Sequence, residues 1–435
     1  MSPPLHPVLR LIYLLLRGIS WLGISVFYRR RIILGREHLQ FKGPAIIVVN
    51  HPSTLMDVLN SCVHIRQEPF FLANYSLFKH PISRWLLTRL YCIPVKRRED
   101  VAEGEARNND AAFEQSFQHL EKNGLLFIAA EGVSWMERWV RPFKTGAARI
   151  AFGAESRNDW QLGVKIIPVG LSYSAANLFR SEVIVHFGPP IDVAPWAVAE
   201  QQSHEKAVDD FTLEIEQKVR ALVLDTRDAA GQAFIENVET VSSATFPADE
   251  QACFSFRKNL IEQNIDNEVL RATMASYFEA LQAANITDGG LKSLANPATS
   301  TQKMMDTFLL FAGLPFFLAG YTFWWLPCFL PWLLTKKMNL YIGYASNVKM
   351  LSGLFTFPLA LWGAYRVAFH FYDSAWWGLA AMVLVVLLGY FTEQYMDLVQ
   401  WWQARRAAEA LREKEPNLFN LLLEQHEAIK NKIQR

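Results

Sequence analysis

The stretch Ala45-Ile46-Ile47-Val48-Val49-Asn50-His51-Pro52-Ser53-Thr54-Leu55-Met56-Asp57 changes character at one point. Its first five residues are unbroken apolar and mostly β-branched, the pattern of a strand buried on both faces. Polarity returns at Asn50, with a histidine, a proline and two hydroxyl residues. Pro52 suits the first turn of a following helix, and Ser53 or Thr54 suits its cap. His51 then sits at the carboxyl end of a strand and just before a helix, where open α/β sheets bind ligands.

His51 and Asp57 are six positions apart, a rotation of about 240° on one regular helix at roughly 100° per residue. They meet only if His51 lies in the turn and Asp57 one turn into the helix. A carboxylate on one imidazole nitrogen fixes the tautomer and leaves the other as a base.

Other strand-like runs occur at 125–130, 165–171 and 183–187, separated by amphipathic stretches. Strands alternating with helices between about 35 and 225 imply a largely parallel sheet. Tyr91-Cys92-Ile93-Pro94-Val95 delivers Lys96, Arg97 and Arg98, cations suited to a phosphate. Leu125–Ala130 runs into Glu131-Gly132-Val133-Ser134, and Lys144-Thr145-Gly146 opens an alanine-rich helix. Gly132 lets backbone approach a ligand closely, and a helix N-terminus favours anions. Pro168, inside Ile166-Ile167-Pro168-Val169-Gly170, is odd for a central strand and suggests a bulge or an edge.

Taken in order, these blocks resemble the glycerophospholipid acyltransferases, whose first block is a histidine followed after four residues by an aspartate. Here five residues intervene, which resembles the subgroup of yeast-type glycerol-3-phosphate/dihydroxyacetone-phosphate acyltransferases and bacterial relatives. Glu131-Gly132 and Lys144-x-Gly146 resemble the third block, with Ala130 in place of its usual proline and Val133 in place of Thr or Gly. Pro168 falls in the fourth block, on the acyl-donor side, and Gly188-Pro189-Pro190-Ile191 resembles the family's closing Gly-x-Pro-Ile. The likeness covers roughly residues 30–225.

The resemblance implies an α/β acyltransferase domain, a mostly parallel sheet flanked by helices. It implies catalysis by His51 and Asp57, and substrate binding by Arg97, Arg98, Glu131, Gly132, Lys144, Gly146 and Pro168. Backbone amides near Pro52–Thr54 are the expected donors to the thioester oxyanion. The implied partners are an acyl-CoA or acyl-carrier-protein donor, a glycerol-phosphate acceptor and the lipid bilayer, with no cofactor and no metal. The longer spacing favours glycerol-3-phosphate or dihydroxyacetone phosphate; lysophosphatidate is the alternative acceptor, and a non-catalytic lipid-binding scaffold a further reading. No Gly-x-Ser-x-Gly nucleophile elbow occurs.

Composition agrees with a membrane setting. Of 435 residues 51% are hydrophobic and 14 are Trp, and the net charge of +1 excludes nucleic-acid binding by bulk charge. Four cysteines without CxxC spacing suggest reduced thiols in a cytoplasm-facing protein. Residues 9–28 are apolar but carry Arg10 and Arg17 near one face, as in an interfacial helix, and Arg29-Arg30-Arg31 are placed for anionic headgroups. Val208, Phe211, Ile215, Val219 and Leu222 give an amphipathic helix over 204–225, and 285–302 reads as a linker.

Residues 307–334 carry Pro315, Pro327 and Pro331, and 351–372 and 375–399 are two further candidate spans. The positive-inside rule favours a proline-broken re-entrant hairpin at 307–334, which returns Lys336, Lys337, Arg405 and Arg406 to the cytoplasm. The expected organisation is an N-terminal membrane-associated helix (1–34), the acyltransferase domain (35–225), a helical region and linker (226–303), a transmembrane region (304–400) and a cytoplasmic helical tail (401–435). The catalytic domain of this integral membrane protein is expected to face the cytoplasm.

Overall fold

The computed structural model describes residues 7–89, 91–97, 108–295, 300–338 and 341–433. They fall into two compact units, Met1–Asp228 with Tyr341–Asn347, and Ala229–Leu340 with Val348–Arg435.

The first unit is built on an eight-stranded sheet. Its strands are β1 (Arg30–Leu34), β2 (Ala45–Val49), β3 (Pro69–Asn74), β4 (Cys92–Val95), β5 (Leu125–Ala129), β6 (Lys165–Tyr173), β7 (Glu182–Phe187) and β8 (Ile191–Asp192). The order is β1-β7-β6-β2-β5-β3-β4, with β8 also on β6. All neighbours are parallel except the pairs that β6 makes with β7 and β8. β2 is central and all five of its residues are fully buried, as its apolar run requires.

Alternation sorts the strand residues into two layers. Ile46, Val48, Leu126, Ile128 and Ile166 join one core with helices α5 (Gly146–Ser156) and α7 (His204–Ala221). Phe152 of α5 stacks on Phe211 of α7 with centroids 5.2 Å apart. The intervening Ile47, Val49, Phe127 and Ile167 are equally buried and point to the opposite face. There α1 (Pro7–Phe27) packs on α2 (Leu55–Cys62).

β1 and β3 were not anticipated from sequence. Arg30 and Arg31, read as headgroup contacts, lie in β1, where Arg30 pairs with Glu182 at 3.6 Å and the Arg31 guanidinium stands over Trp21. Pro168 requires another correction, because β6 is an interior strand. On one side Pro168 is in register with Val48 of β2. On the other it falls between the two residues paired to β8 and those paired to β7, which begin at Val169. Its carbonyl accepts from Gly188 N at 2.8 Å across that gap. The missing N–H therefore points to the β7 side at the very end of the β6–β7 ladder, where only the reciprocal bond of the last pair is absent.

The second unit is helical: α8 (Ala229–Ser242), α9 (Glu250–Asn264), α10 (Glu268–Ala283), α11 (Asp288–Ala295), α12 (Ser300–Lys337), α13 (Ala345–Tyr372, from Val348 onward), α14 (Ala375–Lys414) and α15 (Pro416–Ile433). α11 occupies part of the stretch read as a linker. Its Asp288 is buried and accepts from Tyr277 Oη and His426 Nδ1, both at 2.8 Å, and pairs with Lys292 Nζ at 2.9 Å.

α12 overturns the re-entrant hairpin: it is one continuous helix with all three prolines inside it. Pro331 removes the donor to the carbonyl four residues earlier, and that carbonyl, on Pro327, accepts instead from Thr356 Oγ1 at 3.0 Å. The neighbouring α14 contributes Trp324 Nε1→Val385 O (2.8 Å) and Tyr395 Oη→Leu310 O (2.5 Å) to the α12 contact. Among the described residues three helices are long and apolar enough to cross a membrane: Pro7–Phe27, Met304–Lys337 and Ala375–Lys414. α1, read as interfacial, is one of them.

Candidate active site

β2 and β5 end together, with Val49 opposite Ala129, so His51 and Glu131 emerge side by side at the carboxyl edge of the parallel strands. Asn50 extends the ladder past the end of β2 with its side chain. Its Nδ2 donates to Leu171 O at 2.9 Å and its Oδ1 accepts from Leu171 N at 2.8 Å. The chain then turns sharply, and α2 begins only at Leu55. Pro52 thus lies ahead of the helix instead of in its first turn. Thr54 occupies the cap position but makes no side-chain cap bond.

Asp57, in the first turn of α2, is wholly buried. His51 Nδ1–H donates to its Oδ2 at 2.9 Å, and Ser53 N–H donates to the same oxygen at 2.7 Å. Tyr173 Oη donates to Oδ1 at 2.8 Å, while Asn60 Nδ2 donates to the tyrosine oxygen at 3.3 Å. A buried carboxylate needs such a set of donors. The bond at Nδ1 puts the imidazole proton there and leaves Nε2 as the basic nitrogen; the ring is 12% exposed.

The loop after β5 is tied to this turn. Ser134 Oγ accepts from Thr54 N at 3.0 Å, and Trp135 N donates to His51 O at 3.2 Å. Gly132 adopts φ 78°, a left-handed conformation that disfavours a Cβ. Lys144 N donates to Ala130 O at 2.8 Å, and the exposed lysine stem crosses Gly132: a Cβ there would stand 3.4 Å from Lys144 Cγ. Glu131 is buried, and its Oε1 has no hydrogen-bond partner among the described residues. Burial pushes its carboxyl up to about 8, the Asp57 charge adds to the rise, and the backbone N–H groups of His51 and Arg141 oppose it. Arg141 lies against Trp135, its guanidinium 4.3 Å from the ring centroid, and pairs with Glu137 at 2.6 Å.

The structure brings His51, Asp57, Glu131, Gly132 and Lys144 together, and Gly146 opens α5 beyond Lys144. Arg97 follows β4 at the same edge of the sheet but three strands from β2, about 14 Å at the usual strand spacing. Arg98 lies outside the described residues. Pro168 is buried, and its Cγ would be 3.0 Å from a Cβ at Gly188, so its ring faces the α7 side of the sheet. The oxyanion expectation meets a correction: Ser53 N–H and Thr54 N–H are both already engaged, by Asp57 and Ser134.

Tyr173 and Asn60 were not singled out from sequence. Asn60 had a signal, since Asp57, Asn60 and Ser61 are polar yet face inward on α2. Tyr173 had none, because it is 116 positions from the carboxylate it supports. Among the described residues no group of three His, Cys, Asp or Glu side chains is placed to hold a metal ion.

Residues 30–172 match a family model described as Acyltransferase. Glycerol-3-phosphate O-acyltransferase 1 of Saccharomyces cerevisiae is 32% identical over 98 residues, which are 22% of this chain and 13% of that protein. Glycerol-3-phosphate O-acyltransferase 2 of the same yeast is 36% identical over 89 residues, 20% of this chain and 12% of that protein. The alignments thus span about an eighth of these curated relatives. A crystal structure of the 1-acyl-sn-glycerophosphate acyltransferase of Thermotoga maritima aligns with a TM-score of 0.32 at 20% identity, covering 46% of this chain and 79% of that one.

Proposed function

We infer, from the match of residues 30–172 to the Acyltransferase family model, that this protein belongs with the glycerophospholipid acyltransferases and moves a fatty acyl group from a thioester to a hydroxyl of glycerol-3-phosphate. The observation that carries the reading is the His51–Asp57 contact of 2.9 Å at the end of the central strand. The yeast relatives, named as glycerol-3-phosphate O-acyltransferases, support the choice of acceptor.

In this reading His51 Nε2 takes the proton of the acceptor hydroxyl as its oxygen adds to the thioester carbonyl carbon. Asp57 holds the ring in the required tautomer and stabilises the imidazolium. The tetrahedral intermediate collapses with cleavage of the C–S bond, and the thiolate takes the proton back from Nε2. The products are an ester and a free thiol, with no acyl-enzyme. Glu131, protonated at neutral pH because of its burial, donates to an acceptor oxygen, and Lys144 and Arg97 attract the phosphate. The donor is acyl-CoA or acyl-carrier protein. The three long apolar helices hold the enzyme at the bilayer into which its product partitions, with the catalytic unit on the cytoplasmic side, where such donors are made.

The test offers purified full-length protein palmitoyl-CoA with glycerol-3-phosphate in one reaction and lysophosphatidate in another. Thiol release with glycerol-3-phosphate, and a lysophosphatidate product, is expected. Release with lysophosphatidate alone would replace the acceptor, and silence with both would remove the reading.

A further inference from the structure

Thr54 has φ 45° and ψ −118°, a conformation open to glycine and strained for a β-branched residue. It joins the two halves of the site: Ser53, immediately before it, donates its N–H to Asp57, and α2, immediately after it, carries Asp57. Whatever holds Thr54 therefore sets the angle at which Asp57 meets His51.

Much of what holds it comes from nearly 300 positions away. Thr54 Oγ1 donates to Gly343 O at 3.2 Å, and Asn347 Nδ2 donates to the same Oγ1. Ser53 Oγ and Ser346 Oγ share a hydrogen bond at 3.3 Å. These bonds lie within the first unit, to which Tyr341–Asn347 belongs. The hydroxyl proton of Thr54 is committed to the Gly343 carbonyl, so only its lone pairs face Asn347. That orients the amide with its nitrogen inward. Ser346 is fully buried and Asn347 nearly so, and Asn347 Oδ1 has no partner among the described residues. A buried amide oxygen without a donor is unfavourable, so the amide is held here at a cost that the bond to Thr54 offsets.

We propose that Asn347 is a positioning residue of the acyltransferase site, acting through Thr54 to hold the His51–Asp57 turn in its reactive geometry. Ser346 and Asn347 lie outside the stretch that matches the family model, residues 30–172. The proposal rests on the acyl-transfer reading for its kinetic consequence, but not for its structural one.

Two readouts on the full-length protein test it. In thiol release, Asn347→Ala lowers kcat by about tenfold or more with KM for both substrates within about twofold, as loss of an interaction that shapes only the reacting geometry requires. Asn347→Asp, which cannot donate to Thr54, does the same, as does Thr54→Val, which removes the hydroxyl at constant shape. Thr54→Ser stays close to wild type. In a Thr54→Gly background, where the backbone conformation carries no Cβ strain, adding Asn347→Ala changes kcat by less than about twofold. The second readout is amide hydrogen exchange, where Asn347→Ala speeds exchange in peptides covering residues 50–60.

An Asn347→Ala variant with wild-type kcat and wild-type exchange overturns the proposal. So does one that loses the same factor in the Thr54→Gly background, because the residue then acts by another route. Exchange needs no acceptor, so it decides the role of Asn347 in holding the turn even if thiol release fails with every acceptor.

Discussion

Tyr173 Oη stands 2.8 Å from Asp57 Oδ1, joining the last residue of β6 to the first turn of α2. The tyrosine is the third donor to a carboxylate that has no access to water. Removing it leaves Oδ1 without that bond at a cost of about 1–3 kcal/mol. Tyr173→Phe is expected to lower kcat by about tenfold with little change in KM, measured by thiol release, and to lower the thermal midpoint. Unchanged kcat would show that His51 and Asp57 keep their geometry without it.

Glu131 gives the site a pH signature. Its folded carboxyl titrates near 8, against an ordinary value of 4.5. Between those two pH values the unfolded chain has released the proton that the folded protein keeps, so stability falls as pH rises across this window and levels off above it. Glu131→Gln removes that slope. Its thermal midpoint relative to wild type is expected to be higher at pH 8 than at pH 5, and parallel pH curves would contradict the burial argument. If the protonated acid serves the reaction, wild-type activity also declines above about pH 8.

At Gly132 the backbone φ of 78° argues against any side chain. Gly132→Ala is expected to destabilise by about 1–2 kcal/mol and to displace the Lys144 stem that crosses it. A rise in KM for glycerol-3-phosphate, larger than the fall in kcat, would mark Lys144 as an acceptor contact. A variant with wild-type KM would remove Lys144 from that role.

The second unit offers a separate check. Thr356 Oγ1 satisfies the carbonyl that Pro331 strips of its helical donor. Thr356→Val keeps the shape and deletes the bond, and a loss of about 1 kcal/mol or more is expected from denaturation in detergent. A neutral result would mean that the proline-bearing helix tolerates the orphan carbonyl.

How far the sequence carried this reading depends on the distance over which each signal acts. β2, β5, β6 and β7 were legible because strands buried on both faces read as continuous apolar runs. The His51–Asp57 pairing was legible because both residues belong to one short turn. β1 was hidden because its Arg30 and Arg31 look like a surface cluster, and only the pairing with Glu182 and the contact with Trp21 show otherwise. Three prolines in α12 read as a break, since the Thr356 hydroxyl that satisfies the carbonyl orphaned by Pro331 lies 29 positions from that carbonyl, on Pro327. Tyr173, Ser346 and Asn347 reach the site from 116 to 293 positions away, and a single sequence carries no record of such contacts.

The central claim is that His51, oriented by Asp57, is the base. Its most direct test is the rate of CoA thiol release from palmitoyl-CoA at saturating glycerol-3-phosphate, compared between wild type and His51→Ala. General-base catalysis predicts a loss of about 10²–10⁴-fold in a variant that still folds and still binds the acceptor. A His51→Ala protein within about tenfold of wild type would contradict it.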